Sequence, residues 1–274
     1  MTVTFVGGGN MATALIGALQ RRGAAASDFS VVEPYPEQRA KLSALFPGIG
    51  VYPDAASEAF ASTDLVVLAV KPQQMHEAAQ ALATRLASAP VVLTIAAGIR
   101  LADLGRWLGG YKRLVRAMPN TPALIGKGIS GVYAAPGVDA AGRALAAHVL
   151  EASGELLWVT DEAMLDAVTG VSGSGPAYVF YFIEALEQAA REQGFAPADA
   201  RKLVYATIEG ALALAQASDA EPSTLRAQVT SKGGTTERAL ATLEAGGVKA
   251  KIIAAVNAAA IRAQEMGETF GAAD

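Results

Sequence analysis

The chain has 274 residues, a formal net charge of −4, 52% hydrophobic and 18% charged residues, and no cysteine. That is enough apolar surface for one large domain or two ordinary ones. The charge excludes a broad nucleic-acid surface, which needs clustered Lys and Arg. The missing cysteines exclude disulfides, thiolate nucleophiles and Cys-type zinc sites. Residues Met1-Thr-Val-Thr-Phe-Val6 run into strand-like sequence with no basic n-region before them. The longest apolar stretch, residues 168–183, contains Gly, Ser and Pro and then meets Glu184, so it is no membrane span. The expectation is a cytoplasmic protein with neither membrane nor nucleic-acid partner.

In chain order, short Val-, Leu- and Ile-rich runs read as buried strands at 3–6, 31–32, 65–70, 91–95, 114–117 and 129–133. Helical spacing fills the gaps at 11–22, 36–45, 73–87 and 101–108. Regular alternation predicts a parallel sheet with helices on both faces. A helix at 139–152 and a last strand at 155–159 follow. After Thr160 the pattern changes to long Ala- and Leu-rich helical segments at 161–168, 176–193, 197–217, 222–229 and 236–266. Pro176, Pro197 and Pro222 fall near first turns, and Gly194 and Gly246 near ends. The division is placed at 160, giving an α/β N-terminal domain, residues 1–160, and an all-α C-terminal domain, residues 161–274.

Val3-Thr-Phe-Val-Gly-Gly-Gly-Asn-Met-Ala12 reads as strand, tight turn and helix start, with the pattern Gly7-x-Gly9-x-x-Ala12. Gly7 permits the turn, Gly9 lets backbone approach a pyrophosphate, and Ala12 lets helix and strand pack closely. The helix N-terminus then offers N–H groups and a positive dipole end to phosphate. Asn10 and Met11 open that helix. The unit closes at Val31-Val32-Glu33, where a carboxylate can accept from the ribose hydroxyls of an adenosine. This context makes the N-terminal domain Rossmann-type and the cofactor NADH or NADPH. Glu33 tilts the choice toward NADH, because it favours a free 2′-OH and repels a 2′-phosphate. Arg39, in the next helix, reads as a solvated residue with the alternative of reaching a phosphate.

Open α/β sheets bind ligands at the carboxyl ends of their strands. There stand Ala69-Val70-Lys71-Pro72, Ala96-Ala97-Gly98 and Arg116-Ala-Met-Pro-Asn-Thr-Pro122. Lys71 is a candidate for binding phosphate, holding substrate or acting as an acid. Pro119 and Pro122 stiffen a loop that presents Asn120 and Thr121. His76 and His148 are far apart and read as structural or surface residues, so no metal site is visible. In the helical half, Gly170-Val-Ser-Gly-Ser-Gly-Pro-Ala-Tyr178 and Val229-Thr-Ser-Lys-Gly-Gly-Thr-Thr236 combine hydroxyls with backbone N–H groups before a helix. That chemistry suits a carboxylate.

Gly7-Gly-Gly-Asn-Met11, Ala69-Val-Lys-Pro72, Ala96-Ala-Gly98, Arg116–Pro122, Gly173-Ser-Gly-Pro-Ala-Tyr178 and Val229–Thr236, in this order across essentially the whole chain, resemble the pyrroline-5-carboxylate reductase family. Lys232 stands where many members have Pro. The resemblance implies reduction of the C=N bond of 1-pyrroline-5-carboxylate to L-proline. Ser231, Gly233, Gly234 and Thr235 would hold the substrate carboxylate, with Val229 and Asn120 beside it. Thr236 would contact the ring nitrogen as the catalytic residue, and residues 69–72 and 96–98 would line the cofactor. The helical domain would be a dimerisation domain, each active site using two chains, with homodimers or decamers built from them. A β-hydroxyacid dehydrogenase-like oxidoreductase is the alternative enzyme, but it needs a lysine in the second domain that residues 173–186 lack. A non-catalytic dinucleotide-binding sensor would need no organised anion loop.

Overall fold

All four residues of β1 (Val3–Val6) are buried, which demands cover on both faces and a central place in a parallel sheet. The computed structural model describes residues 1–55, 57–60 and 62–272, and β1 has that central place. Beside it lie β2 (Phe29–Val32) and β4 (Leu65–Leu68), followed outward by β3 (Gly50–Tyr52) on one side. On the other side come β5 (Val91–Thr94), β6 (Leu114–Met118), β7 (Gly128–Ala134) and β8 (Gly154–Trp158). The sheet order is β3-β2-β1-β4-β5-β6-β7-β8. Two apolar clusters cover its faces. One joins β1 to Ala12, Leu15, Ile16 and Leu19 of α1 (Asn10–Arg21) and to Val149 and Leu150 of α5 (Ala140–Glu151). The other joins β4 and β5 to Met75 and Leu82 of α3 (Met75–Ala83) and to Leu104 and Trp107 of α4 (Leu101–Trp107).

The register aligns the carboxyl ends of the parallel strands. Val6 pairs with Val32 and Leu68, Leu68 with Thr94, and Thr94 with Arg116. The segments after β1, β2, β4, β5 and β6 therefore emerge along one edge. The Pro36–Leu45 helix, α2, follows β2 with Pro at its start, where a missing N–H costs nothing.

The sheet is not parallel throughout, as the alternation had suggested. β7 runs antiparallel to β6, and β8 is parallel to β7. The physical reason is the connection: residues 119–127 carry only the 3-10 turn Thr121–Ile125, whereas a parallel crossover needs a dozen residues or more. β3 was not expected. Residues 73–87 form a 3-10 turn, Pro72–Gln74, and then α3, which stops at Ala83.

By packing, the described chain has two units, Met1–Ser174 with residues 257–272, and Gly175–Val256. The last strand ends at Trp158 of β8, and α6 (Met164–Val168) follows. α6 packs on β6 and β7, and a π-turn, Thr169–Gly173, follows it, so both stay with the first unit. The second unit holds α7 (Gly175–Glu192), α8 (Pro197–Gln216), α9 (Pro222–Gln228) and α10 (Thr235–Ala245). Residues 236–266, one helical segment by spacing, are two helices. Gly247 turns left-handed at φ +64° and starts α11 (Val248–Gly271). In α7 and α8 only Glu187, Ala200 and Val204 are buried, while Val179, Phe180, Phe182, Leu203 and Leu212 lie exposed and Tyr181 is 77% exposed. Apolar patches of this kind mark an interface rather than a finished surface. No helix among the described residues is long and apolar enough to cross a membrane.

Candidate active site

At Gly7 the turn after β1 is closed by backbone contacts that leave no room for a side chain. Gly7 donates its N–H to Val32 O at 2.8 Å and sits at φ +97°. A Cβ there would lie 2.8 Å from Ala69 O and 2.9 Å from Ala69 C at the end of β4. Gly8 is constrained more softly, with no positive φ: an added Cβ would overlap the end of the Leu42 side chain of α2. Gly9 differs, since nothing lies within 4 Å of where its Cβ would be. Gly9 is also the N-cap of α1, with no side chain to take a first-turn N–H. The first helical bond is Thr13 N–H to Gly9 O at 3.0 Å, so the N–H groups before it have no carbonyl partner within the helix and lie at its positive end.

Glu33 holds this turn from the neighbouring strand. Its Oε2 accepts from Gly8 N–H at 2.9 Å and its Oε1 from Tyr35 N–H at 3.0 Å, and the residue is 5% exposed. Gln38 Nε2 donates to Gly8 O at 2.6 Å. Arg39 is half-buried, and its Nη1 donates to Glu33 O at 3.0 Å and Pro34 O at 2.7 Å. Gly8, Tyr35 and Gln38 escaped the sequence reading. Gly8 filled a variable position of the motif, and only its overlap with Leu42 reveals its constraint.

A cleft of about 390 Å³ opens here, bringing together Gly7, Gly9, Glu33, Ala69, Val70 and Lys71. Asn10, Met11, Pro72, Ala96, Ala97 and Gly98 do not line it. Gly98 takes φ +71° beside Met266 and Gly267 of α11, where a Cβ would come within 2.9 Å of Met266 Cβ. Asn120 acts as a bracket: its Oδ1 accepts from Ile129 N–H at 3.0 Å and its Nδ2 donates to Ser172 O at 3.1 Å. His76 stacks at a tilt on Trp107, with ring centroids 5.1 Å apart.

In the second unit, Ser231 O accepts from Gly234 N–H at 3.0 Å, closing a turn with Gly233 at φ +75°. Gly234 is the N-cap of α10 and Thr235 and Thr236 open that helix, so again no cap side chain takes the first N–H groups. Thr230 Oγ1 donates to Arg226 O at 2.6 Å. Glu237 Oε2 accepts from Gly233 N–H at 2.7 Å, steadying the turn beside Lys232. Val229, Ser231 and Thr235 are exposed and Thr236 is half-buried.

A doubly covered, mostly parallel sheet with an open glycine turn at its carboxyl edge defines a dinucleotide-binding domain of the Rossmann type. Residues 2–98 match the family described as NADP oxidoreductase, coenzyme F420-dependent, and residues 162–266 match pyrroline-5-carboxylate reductase dimerisation. A pyrroline-5-carboxylate reductase of Pseudomonas aeruginosa is 45% identical over 269 residues, covering 98% of each chain. One from Vibrio alginolyticus is 39% identical over 98% of each. The pyrroline-5-carboxylate reductase structure from Coxiella burnetii superposes at TM-score 0.89 with 34% identity, covering 97% of this chain and 98% of that one. The Plasmodium falciparum enzyme, solved with NADP bound, does so at 0.87 with 26% identity, covering 97% and 98%. The chain belongs to the pyrroline-5-carboxylate reductase family.

Proposed function

We propose that the chain transfers a hydride from NADPH or NADH to the C=N bond of 1-pyrroline-5-carboxylate, giving L-proline. The observation that carries this reading is the Ser231–Thr236 turn, whose hydroxyls and helix-start N–H groups suit a small carboxylate. A sensor has no use for such a turn, and a hydroxyacid dehydrogenase needs a lysine base that residues 173–186 lack. The bound dinucleotide supplies the hydride from nicotinamide C4 to imine C5.

The chain's own residues bind and orient. In residues 1–160, the backbone at Gly7, Gly9, Asn10 and Met11 holds the pyrophosphate and Glu33 faces the adenosine ribose. Residues 69–72 and 96–98 line the nicotinamide half. In residues 161–274, Ser231, Gly233, Gly234 and Thr235 hold the carboxylate together with Val229, and in residues 1–160 Asn120 is a further substrate-binding residue. Because Glu237 accepts from Gly233 N–H, that donor serves the substrate only when Glu237 turns aside. Because each polar atom of the Asn120 carboxamide already makes one bond, Asn120 has its second Nδ2–H and the second lone pair of Oδ1 left for a ligand. Thr236 orients the ring nitrogen. The imine carries its proton on nitrogen before transfer, so the electron pair arriving at C5 leaves a neutral amine and no strong general acid is required. Catalysis then rests mainly on positioning, which supplies rate through lost motional freedom. The helical domain pairs two chains so that each site draws on both, and decamers of such dimers extend the assembly.

Deuteride transfer tests this reading. Reduced cofactor deuterated at C4 should give proline with deuterium at C5 alone; proline without it would sink the proposal. Thr236→Ala is expected to lower kcat/KM for the imine about tenfold, the worth of roughly one hydrogen bond of 1.4 kcal/mol. Unchanged kcat and KM would remove Thr236 from its role. Glu33 tilts the choice toward NADH, and Glu33→Gln is expected to weaken both cofactors, since the amide turns a donor toward Gly8 or Tyr35 N–H. It should also raise the NADPH-to-NADH ratio of kcat/KM, because a negative charge leaves the ribose edge. A fall in that ratio would contradict the charge argument.

A further inference from the structure

Arg116 is a buried cation to which the reading above gives no role. It lies on β6, 3% exposed, and its guanidinium joins two carboxylates. Nη1 donates to Glu162 Oε1 at 3.1 Å and Nη2 to Asp166 Oδ1 at 3.1 Å. The same Glu162 Oε1 accepts from Leu101 N–H, in the first turn of α4, at 2.8 Å. One carboxylate oxygen thus ties the middle of β6 to the start of α4. Only Ile99 and Arg100 separate α4 from the Ala96–Gly98 segment, and only Ala117 and Met118 separate Arg116 from Pro119 and Asn120. Asp166 lies on α6 and Ser172 in the π-turn after it, so Arg116 and Asn120 grip that segment at both ends.

We propose that Arg116 and Glu162 are positioning residues for hydride transfer, fixing the spacing between the Ala96–Gly98 and Pro119–Asn120 segments. The proposal rests on the reductase reading, in which these two segments flank the nicotinamide and the imine. Neither residue touches cofactor or substrate; they act through the loops they bind. The guanidinium is suited to the task because its planar fork meets two carboxylates at once, which a lysine ammonium cannot do in the same geometry. Positioning is where small errors are costly: a displacement of about 1 Å at the reacting atoms lowers rate about 100-fold.

The test uses the full-length oligomer and three variants, Arg116→Lys, Glu162→Gln and the double. Each is assayed well below its own Tm for kcat, substrate KM and dinucleotide Kd. The singles are expected to lose about tenfold or more in kcat while dinucleotide Kd moves less than about twofold. The double should fall no further than the worse single, because groups acting as one unit are not additive. Glu162→Gln is the mild variant, keeping an oxygen for Leu101 N–H, and it decides the matter if Arg116→Lys does not fold. Variants with a lower Tm but wild-type kcat would reduce the pair to a structural brace and overturn the proposal. The wild-type rate in the same series separates the two claims: an inactive wild type sinks the reductase reading and this proposal with it, whereas an active one matched by its variants sinks this proposal alone.

Discussion

Gly7→Ala is expected to lose dinucleotide affinity by about tenfold or more and to destabilise the fold by about 1–3 kcal/mol, the usual cost of a side chain in a sparsely populated backbone region. Two independent features combine at this position. The backbone sits at φ +97°, which side chains rarely adopt, and the new methyl would press on the Ala69 carbonyl at 2.8 Å. Relief requires moving either the turn or the end of β4, and both line the same cleft. The glycine turn would then hold the start of α1 away from its place, and the phosphate would meet misaligned N–H groups. Thermal melting with and without NADPH, together with a fluorescence titration, measures both effects. Wild-type affinity and Tm would mean that the turn is not the dinucleotide anchor. Gly9→Ala is the informative companion, because its Cβ meets nothing in the chain itself. It should leave the unliganded Tm nearly unchanged while weakening the cofactor.

The second large effect is expected from the exposed face of α7. Phe180 and Tyr181 are 61% and 77% exposed, and they stand next to Val179 and Phe182, which are also exposed. A double substitution, Phe180→Glu with Tyr181→Glu, puts two charges on adjacent sides of the helix. Left exposed, charged side chains cost little. Buried against a partner without counter-charges they cost several kcal/mol, enough to shift the dissociation constant by at least about 100-fold. Light scattering should show a smaller particle than wild type, and activity should fall with it if each site draws on two chains. An unchanged particle size would place the interface elsewhere.

Several parts of this account were open to reading from the residues. The glycine motif, Glu33, the strand ends and the Val229–Thr236 loop all announce themselves by residue type and place. Other parts were not. β3 has three half-buried residues and no apolar run to betray it. The direction of β7 was legible in principle, because residues 119–127 are too few for a crossover helix, although its own sequence looks like any buried strand. The inward turn of Glu33 toward Gly8, and the bond from Asn120 to Ser172, depend on residues far apart in the chain. Gln38 likewise gives no signal beyond its helix. The helices α7 and α8 read as ordinary Ala- and Leu-rich helices, and the sequence does not show that in one chain their apolar residues have too little to bury against.

The most direct test follows the nicotinamide absorbance while purified protein meets 1-pyrroline-5-carboxylate, with NADPH and NADH in separate runs. The account predicts rapid cofactor oxidation and stoichiometric proline, with NADH at least as effective as NADPH. Folded protein that binds dinucleotide yet oxidises neither cofactor with this substrate would contradict it.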